Sequence, residues 1–227
     1  MVSALKQSVE NGQVPHLLMY GPPGTGKTST VLALAKDIFG SDFFRQRVLE
    51  LNASDDRGIA VVREKIKKFA QRKIAKHPDG RNIPQLQLVI LDEADSMTVD
   101  AQAALRRIIE AHAKTTRFCI ICNYISKIID PLASRCVKFR FSPIGQEAQR
   151  DRLLKICEAE SVKIESPEVI DQLIEVTEGD LRRSINTLQT CASFAKGEGK
   201  LLGRDQIEAI SGVVPDRAIQ MVSTVVG

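Results

Sequence analysis

Residues Gly21 to Thr28 read G-P-P-G-T-G-K-T, and this pattern constrains the fold more than any other stretch of the 227-residue chain. The four residues before it, 17–20, are mostly apolar and predict a buried strand. Its glycines allow positive φ and let an anion approach the backbone without a Cβ in the way. The spacing is typical of a phosphate-binding loop between a strand and a helix. A plain strand-to-helix turn is the poorer interpretation, because eight residues fit the pattern in register after an apolar run.

The loop predicts a site for ATP and Mg²⁺. Its backbone N–H groups and the positive end of the following helix would both face the phosphates. Lys27 can reach the β- and γ-phosphates, and the hydroxyl of Thr28 can ligate Mg²⁺. The residues expected to contact the nucleotide are Gly21, Pro22, Pro23, Gly24, Thr25, Gly26, Lys27, Thr28 and Ser29.

The composition is typical of a globular protein with a hydrophobic core. Hydrophobic residues make up 43% of the chain, enough for a real core, and the net charge is only +4. No apolar run reaches membrane-spanning length, so we expect no membrane partner. The five cysteines are an odd number in mostly apolar segments, which favours reduced thiols. Cys119 and Cys122 form a C-x-x-C, but on a strand they would face opposite sides, so core packing is favoured over metal binding.

Apolar periodicity predicts an α/β domain followed by a helical one. The predicted strands are 17–20, 48–51, 86–91, 118–122 and 137–141, and the helices between them are 1–14, 27–39, 58–76 and 100–113. This alternation predicts a parallel five-stranded sheet with right-handed crossovers. After Pro143 the strands stop, and helices are predicted at 146–160, 167–177, 181–195 and 204–211.

Two carboxylates follow the third predicted strand. Asp92 is placed to hold Mg²⁺, and Glu93 is suited to act as general base toward an attacking water. An acidic strand end at the surface is the simpler alternative, but the phosphate loop upstream favours the functional reading. The tetrapeptide D-E-A-D at residues 92–95 also suggests a helicase. We do not find the S-A-T signature expected after it in that class.

Several further motifs accompany the phosphate loop and the two acids. They are L-N-A-S-D-D-R-G-I at 51–59, A-L-R-R at 104–107, T-R-F-C-I-I-C-N-Y at 116–124, S-R-C at 134–136 and G-D-L-R-R at 179–183. Together they resemble the small subunits of replication factor C, the eukaryotic sliding-clamp loader of the AAA+ ATPase superfamily. The resemblance covers nearly the whole chain. It implies an AAA+ phosphate-loop domain at 1–142, a helical lid at 143–213 and the stub of a truncated C-terminal collar at 214–227.

The resemblance also implies roles for three residues. Asn123 matches sensor 1, which positions water against the γ-phosphate. Arg182 matches sensor 2, which reaches the nucleotide from the lid, and Arg135 matches an arginine finger that acts in trans on a neighbour's ATP. Taken without the family pattern, Asn123 is a strand-end turn residue and the two arginines are solvated charges. An arginine supplied in trans would neutralise charge on the transferred phosphoryl group.

A basic helix after Asp56 raises the question of DNA. A run of charge is usually a solvated face, and that interpretation is preferred for Lys68, Arg72, Lys73 and Lys76. The positions of Arg57, Arg63 and Lys67 match those that in clamp loaders contact phosphates of the primer–template duplex. Arg106 and Arg107, on the helix after the two acids, are weaker candidates for DNA contact. They would link the binding of DNA to the action of Glu93.

The resemblance therefore implies an ATPase that opens and loads the ring-shaped clamp in the nucleus. Its implied partners are the other subunits of a heteropentameric ring, the sliding clamp and primer–template DNA. Two alternatives stay open, a nucleotide-responsive structural subunit of a related AAA+ assembly and a branch-migration motor. Intact Lys27, Glu93 and Asn123 favour turnover over the first. The S-R-C motif disfavours a branch-migration motor. We also find no pore-like aromatic loop in the sequence, which disfavours the same alternative.

Overall fold

The structure is a computed structural model that describes residues 14–54, 59–72 and 85–211. These residues form two compact units. Apart from Pro23–Thr25, which group with the second unit, the first unit extends to Ser142 and the second begins at Pro143. Among the described helices, none combines the length and apolar character that a membrane span requires. The predicted helix at 1–14 lies outside the described residues except for Val14.

The first unit contains a parallel five-stranded sheet, which confirms the predicted α/β class. Its strands are β1 (Leu17–Tyr20), β2 (Val48–Asn52), β3 (Gln87–Asp92), β4 (Thr116–Cys122) and β5 (Val137–Arg140). Their order across the sheet is β2-β3-β4-β1-β5. Leu17 opens β1 opposite Cys119 and Val137, and Tyr20 closes it opposite Cys122 and Arg140. The carboxyl ends of β1, β3 and β4 therefore lie along one edge.

Helices connect these strands, and two of them differ from the sequence prediction. The helices are α1 (Lys27–Arg47), α2 (Ile59–Ala70), α3 (Val99–His112) and the short α4 (Asp130–Ala133). The prediction that α1 ends at Gly40 is half right. Gly40 has φ 71° and kinks the helix, but helical structure resumes and continues to Arg47. Phe43 and Phe44 pack against the core, which explains the second segment. The prediction for α2 is too long, because Gln71 and Arg72 already form a turn.

Apolar side chains cover both faces of the sheet. Met19 and Ile90 lie in a core that α1 covers through Val31 and Ala35. Leu18 lies in the core on the opposite side, which α2 and α3 cover. A sheet buried on both faces requires continuously apolar strands, and this is the pattern that made the strands recognisable in the sequence.

All five cysteines are free and buried. Cys119 belongs to the core under α1 and Cys122 to the core under α2 and α3, so the two side chains face opposite sides of β4. Burial raises the pKa of Cys122 to about 12 and that of Cys136 to about 11. The prediction that the C-x-x-C is a packing feature is confirmed.

The second unit is helical, as predicted. Its helices are α5 (Gln146–Ala159), α6 (Glu168–Val176), α7 (Leu181–Glu198) and α8 (Arg204–Ser211). Leu153, Ile170 and Leu188 are members of their shared core. Asp180 caps α7 by accepting hydrogen bonds from the backbone N–H groups of Arg182 and Arg183.

One partly buried titratable group lies at the amino edge of the sheet. His16 precedes β1, and its Nδ1 accepts a hydrogen bond from the backbone N–H of Phe118 at 3.2 Å. Burial, reinforced by the positive charge of Arg117, lowers the pKa of His16 from 6.5 to about 4. The imidazole is therefore neutral in the folded protein at pH 7.

We expect this histidine to make stability depend on pH. Because the unfolded chain binds the proton first, the stabilisation is fully present above pH 6.5 and is lost as the pH falls toward 4. At ~1.4 kcal/mol per pKa unit, and discounted because the ring is only partly buried, the loss is on the order of 2–3 kcal/mol. Urea titrations from pH 7 to pH 4 should show the native chain losing more unfolding free energy than His16→Gln. Equal losses in the two proteins would contradict the assignment.

Candidate nucleotide-binding site

Three loops at the carboxyl edge of the sheet bring together residues that are far apart in the chain. Lys27 follows β1, Asp92 ends β3 and Asn123 follows β4. Lys27 is 7% exposed, and its ammonium donates hydrogen bonds to the carbonyl oxygens of Gly21 and Pro22, both at 2.8 Å. It also donates to Oδ1 of Asn123 at 2.9 Å. The structure thus places the predicted lysine and the predicted sensor 1 side chain in direct contact.

The backbone of the loop has the conformation that its glycines allow. Gly21, Gly24 and Gly26 have φ of 144°, 70° and 84°. A Cβ on Gly21 would lie 2.1 Å from the carbonyl oxygen of Phe141, so no larger residue fits there without movement of β1 or the end of β5. Gly26 occupies the cap position of α1 and has no side chain to cover the first N–H groups of the helix. These groups and the helix dipole suit an anion such as a phosphate.

The residues predicted to hold Mg²⁺ are also in contact. Thr28 Oγ1 donates a hydrogen bond to Oδ2 of Asp92 at 2.6 Å. The other carboxylate oxygen, Oδ1, accepts from the backbone N–H of Glu93 at 2.8 Å. A hydroxyl and a carboxylate beside a phosphate loop are oxygen donors of the kind that Mg²⁺ prefers. The residues present therefore fit this ion.

Glu93 occupies an unusual backbone conformation. Its φ of 55° is in the left-handed region, which is rare for a residue with a side chain. A one-turn 3₁₀ helix at Ala94–Ser96 follows immediately. The carbonyl of Glu93 accepts hydrogen bonds from Ser96, from the backbone N–H at 3.0 Å and from Oγ at 2.7 Å. This tight turn leaves the Glu93 side chain exposed next to Asp92.

Sequence reasoning missed Asp95 within the same turn. Its Oδ2 accepts hydrogen bonds from the backbone N–H groups of Asn123 and Tyr124, each at 3.2 Å. The only signal in the sequence was its place two residues after Glu93. That spacing could not show which loop the carboxylate would contact.

Other predicted residues lie away from this group. Arg135 follows α4, and its guanidinium forms an ion pair with Glu110 and a hydrogen bond to the carbonyl of Pro131. Arg106 Nε lies 3.7 Å from the same Glu110 carboxylate, and Arg107 is exposed on α3.

The remaining predicted residues are on exposed surfaces or outside the described chain. Arg63 and Lys67 are exposed on α2, and Ser29 is exposed on α1. Arg182 is exposed in the first turn of α7, in the second unit. Arg57 lies outside the described residues.

Residues 17–144 match the family described as "ATPase family associated with various cellular activities (AAA)". The chain belongs to the AAA family. Residues 146–197 match a second family, the "RFC1-like, AAA+ ATPase lid domain". The two matches meet where the second unit of this AAA protein begins.

Curated relatives of this AAA chain are named replication factor C subunits, which confirms the resemblance seen in the sequence. It is 55% identical over 96% of its length to human "Replication factor C subunit 4". It is 49% identical over 99% of its length to "Replication factor C subunit 2" of Saccharomyces cerevisiae. The chain spans 60% of the human protein and 65% of the yeast protein.

Solved structures confirm the fold of the AAA chain. A variant of RuvB from Thermotoga maritima matches with a TM-score of 0.68, covering 93% of this chain and 66% of that one. Sequence identity is 14%, so this likeness concerns the fold alone.

Proposed function

We propose that this chain is the ATP-binding and ATP-hydrolysing part of a small subunit of the replication factor C clamp loader. The observation that carries the proposal is the contact of Lys27 with Asn123 beside the Thr28–Asp92 pair. Such an arrangement is what phosphoryl transfer from ATP to water requires. The identity of about half of all residues to replication factor C subunits supports the choice of assembly.

Each residue has a task in this proposal. The positive charge of Lys27 opposes charge on the β- and γ-phosphates, and the amide of Asn123 orients the attacking water. Glu93 accepts a proton from that water as its oxygen attacks the γ-phosphorus and the bond to the bridging oxygen breaks. Thr28 and Asp92 would hold Mg²⁺, which when bound neutralises phosphate charge. Arg182 is a further candidate for the nucleotide on the strength of the family pattern alone.

Two substitutions should separate binding from hydrolysis. Glu93→Gln should keep ATP affinity, because the amide is the same size, but should lower turnover at this site by roughly a hundredfold to ten-thousandfold, because an amide is a poor proton acceptor. Lys27→Ala should lose affinity as well, because it removes the buried positive charge. Filter binding on the chain and single-turnover phosphate release in the assembled complex, with other sites silenced, measure the two effects. Native turnover in Glu93→Gln would overturn its role as base.

We also propose that Arg135 acts on the nucleotide of a neighbouring subunit. Arg135 lies two residues before Val137, and Val137 pairs with Leu17, the first residue of β1. The phosphate loop instead follows Tyr20, the last residue of β1. A four-residue strand spans roughly 13 Å, so Arg135 and the loop belong to opposite edges of the sheet. This placement supports a role outside its own site and hence assembly into a ring.

Arg135→Ala should leave ATP binding by this subunit intact. It should slow hydrolysis in the adjoining subunit on the order of a thousandfold, the usual cost of removing an arginine finger. Lys138→Ala, which removes an equal charge from exposed β5, is the matched control and should change little. The measurement is turnover in complexes that contain one functional site at a time. A defect at this subunit's own nucleotide would contradict the ring arrangement.

A third proposal is that α2 follows the phosphates of primer–template DNA. Arg63 and Lys67 are one helical turn apart and exposed, while Ile66 and Phe69 anchor the other side of the helix. Lys68 is instead paired with Glu64 at 3.5 Å, which reduces its availability. Arg57, Arg106 and Arg107 are proposed as further contacts on the strength of the family pattern.

Replacing Arg63 and Lys67 with alanine should weaken duplex binding about equally for all sequences. The slope of the logarithm of the binding constant against the logarithm of the salt concentration should fall in magnitude by about two, roughly one per lost phosphate contact. Replacing Lys65 and Lys68 removes the same charge from another part of α2 and should leave the slope nearly unchanged. Equal effects of the two pairs would indicate a solvated basic face.

The remaining partners follow from the same proposal. We infer that the assembled ring binds and opens the sliding clamp, and that it acts in the nucleus. Localisation of a fluorescent fusion of the whole protein tests the second point, and an exclusively cytoplasmic signal would contradict it.

A further inference from the structure

Two structural elements that carry catalytic candidates are joined by one side chain. Asp95 belongs to the 3₁₀ turn that begins directly after Glu93. Its carboxylate bonds to two consecutive backbone N–H groups, of Asn123 and Tyr124, immediately after β4 ends. The backbone that carries the proposed water-orienting amide is therefore held by the turn that presents the proposed base.

The turn is firmly attached to the sheet. Ala94 is 1% exposed and packs in the core under α2 and α3. Besides the two hydrogen bonds to the Glu93 carbonyl, the N–H of Met97 donates to the carbonyl of Ala94 at 3.2 Å. The hydrogen bond from Asn123 is partly buried and so is partly shielded from competition with water, whereas the bond from Tyr124 is exposed. Hydrogen bonds to an ionised acceptor are roughly twice as strong as neutral ones.

We propose that Asp95 is the positioning residue for Asn123. It fixes the backbone from which the Asn123 amide projects, and that amide in turn accepts from Lys27 at 2.9 Å. Asp95, Asn123 and Lys27 thus form a continuous path from the acidic turn to the phosphate loop. The inference rests on the proposed ATP hydrolysis, because Asn123 acts on the water of that reaction.

The kinetic test compares three variants in the assembled complex. Asp95→Ala removes the oxygen that accepts both hydrogen bonds. It should lower kcat at this site by roughly tenfold to a hundredfold while leaving the KM for ATP nearly unchanged. Asp95→Asn keeps one oxygen acceptor in the same place and should recover most of the loss. Asp100→Ala removes an exposed carboxylate nearby, in the first turn of α3, and should match the native protein.

A second measurement does not depend on catalysis. Hydrogen exchange of the Asn123 and Tyr124 amides in the chain should become at least severalfold faster in Asp95→Ala and should stay unchanged in Asp100→Ala. Faster exchange with lower kcat supports the proposal. Unchanged exchange, faster exchange with native kcat, or a parallel loss in kcat and ATP affinity would overturn it. If the native complex does not hydrolyse ATP at this site, the proposed function fails, whereas the exchange result still reports whether Asp95 holds this backbone.

Discussion

The parallel register of the sheet is the constraint on which the site depends. Because β1, β3 and β4 run in the same direction, the three segments that follow them emerge at one edge. Lys27, Asp92 and Asn123 come from these segments and contact one another or their immediate neighbours. Parallel pairing in turn requires a crossover for each strand, and the helices that supply it cover both faces of the sheet. The parallel direction of the strands thus leads both to a buried core and to a cluster of polar groups at one edge of the sheet.

Polar groups at that edge are held mainly by short hydrogen bonds to backbone atoms. The Lys27 ammonium bonds to two carbonyls of its own loop, and the Asp92 carboxylate accepts from the backbone of Glu93. The left-handed conformation of Glu93 is stabilised by the turn that follows it. Local strain of this kind, stabilised by surrounding structure, is common at functional sites. The fixed backbone sets the point from which the exposed Glu93 side chain projects.

The parts of the fold that sequence could predict are those with strong periodic signals. Strands such as 86–91 are continuous apolar runs, and the phosphate loop has eight diagnostic positions in register. The extension of α1 past Gly40 was missed because a local breaker outweighed Phe43 and Phe44, whose burial depends on tertiary packing. Asp95 was missed for a similar reason, since its partners are 28 and 29 residues away and are backbone groups. A contact to a backbone group does not require a particular residue type in the partner, so the sequence does not reveal it.

The five buried cysteines have a practical consequence. A thiol reacts with electrophiles as its thiolate, and burial both hides these sulfurs and raises their pKa values. The native cysteines should therefore react little with a labelling reagent, so that an introduced cysteine can be labelled selectively. A cysteine introduced at an exposed position, such as Lys36 on α1, would be modified first by a maleimide dye while the natural thiols stay protected in the fold. Distances within each unit become measurable without removing any residue from the core.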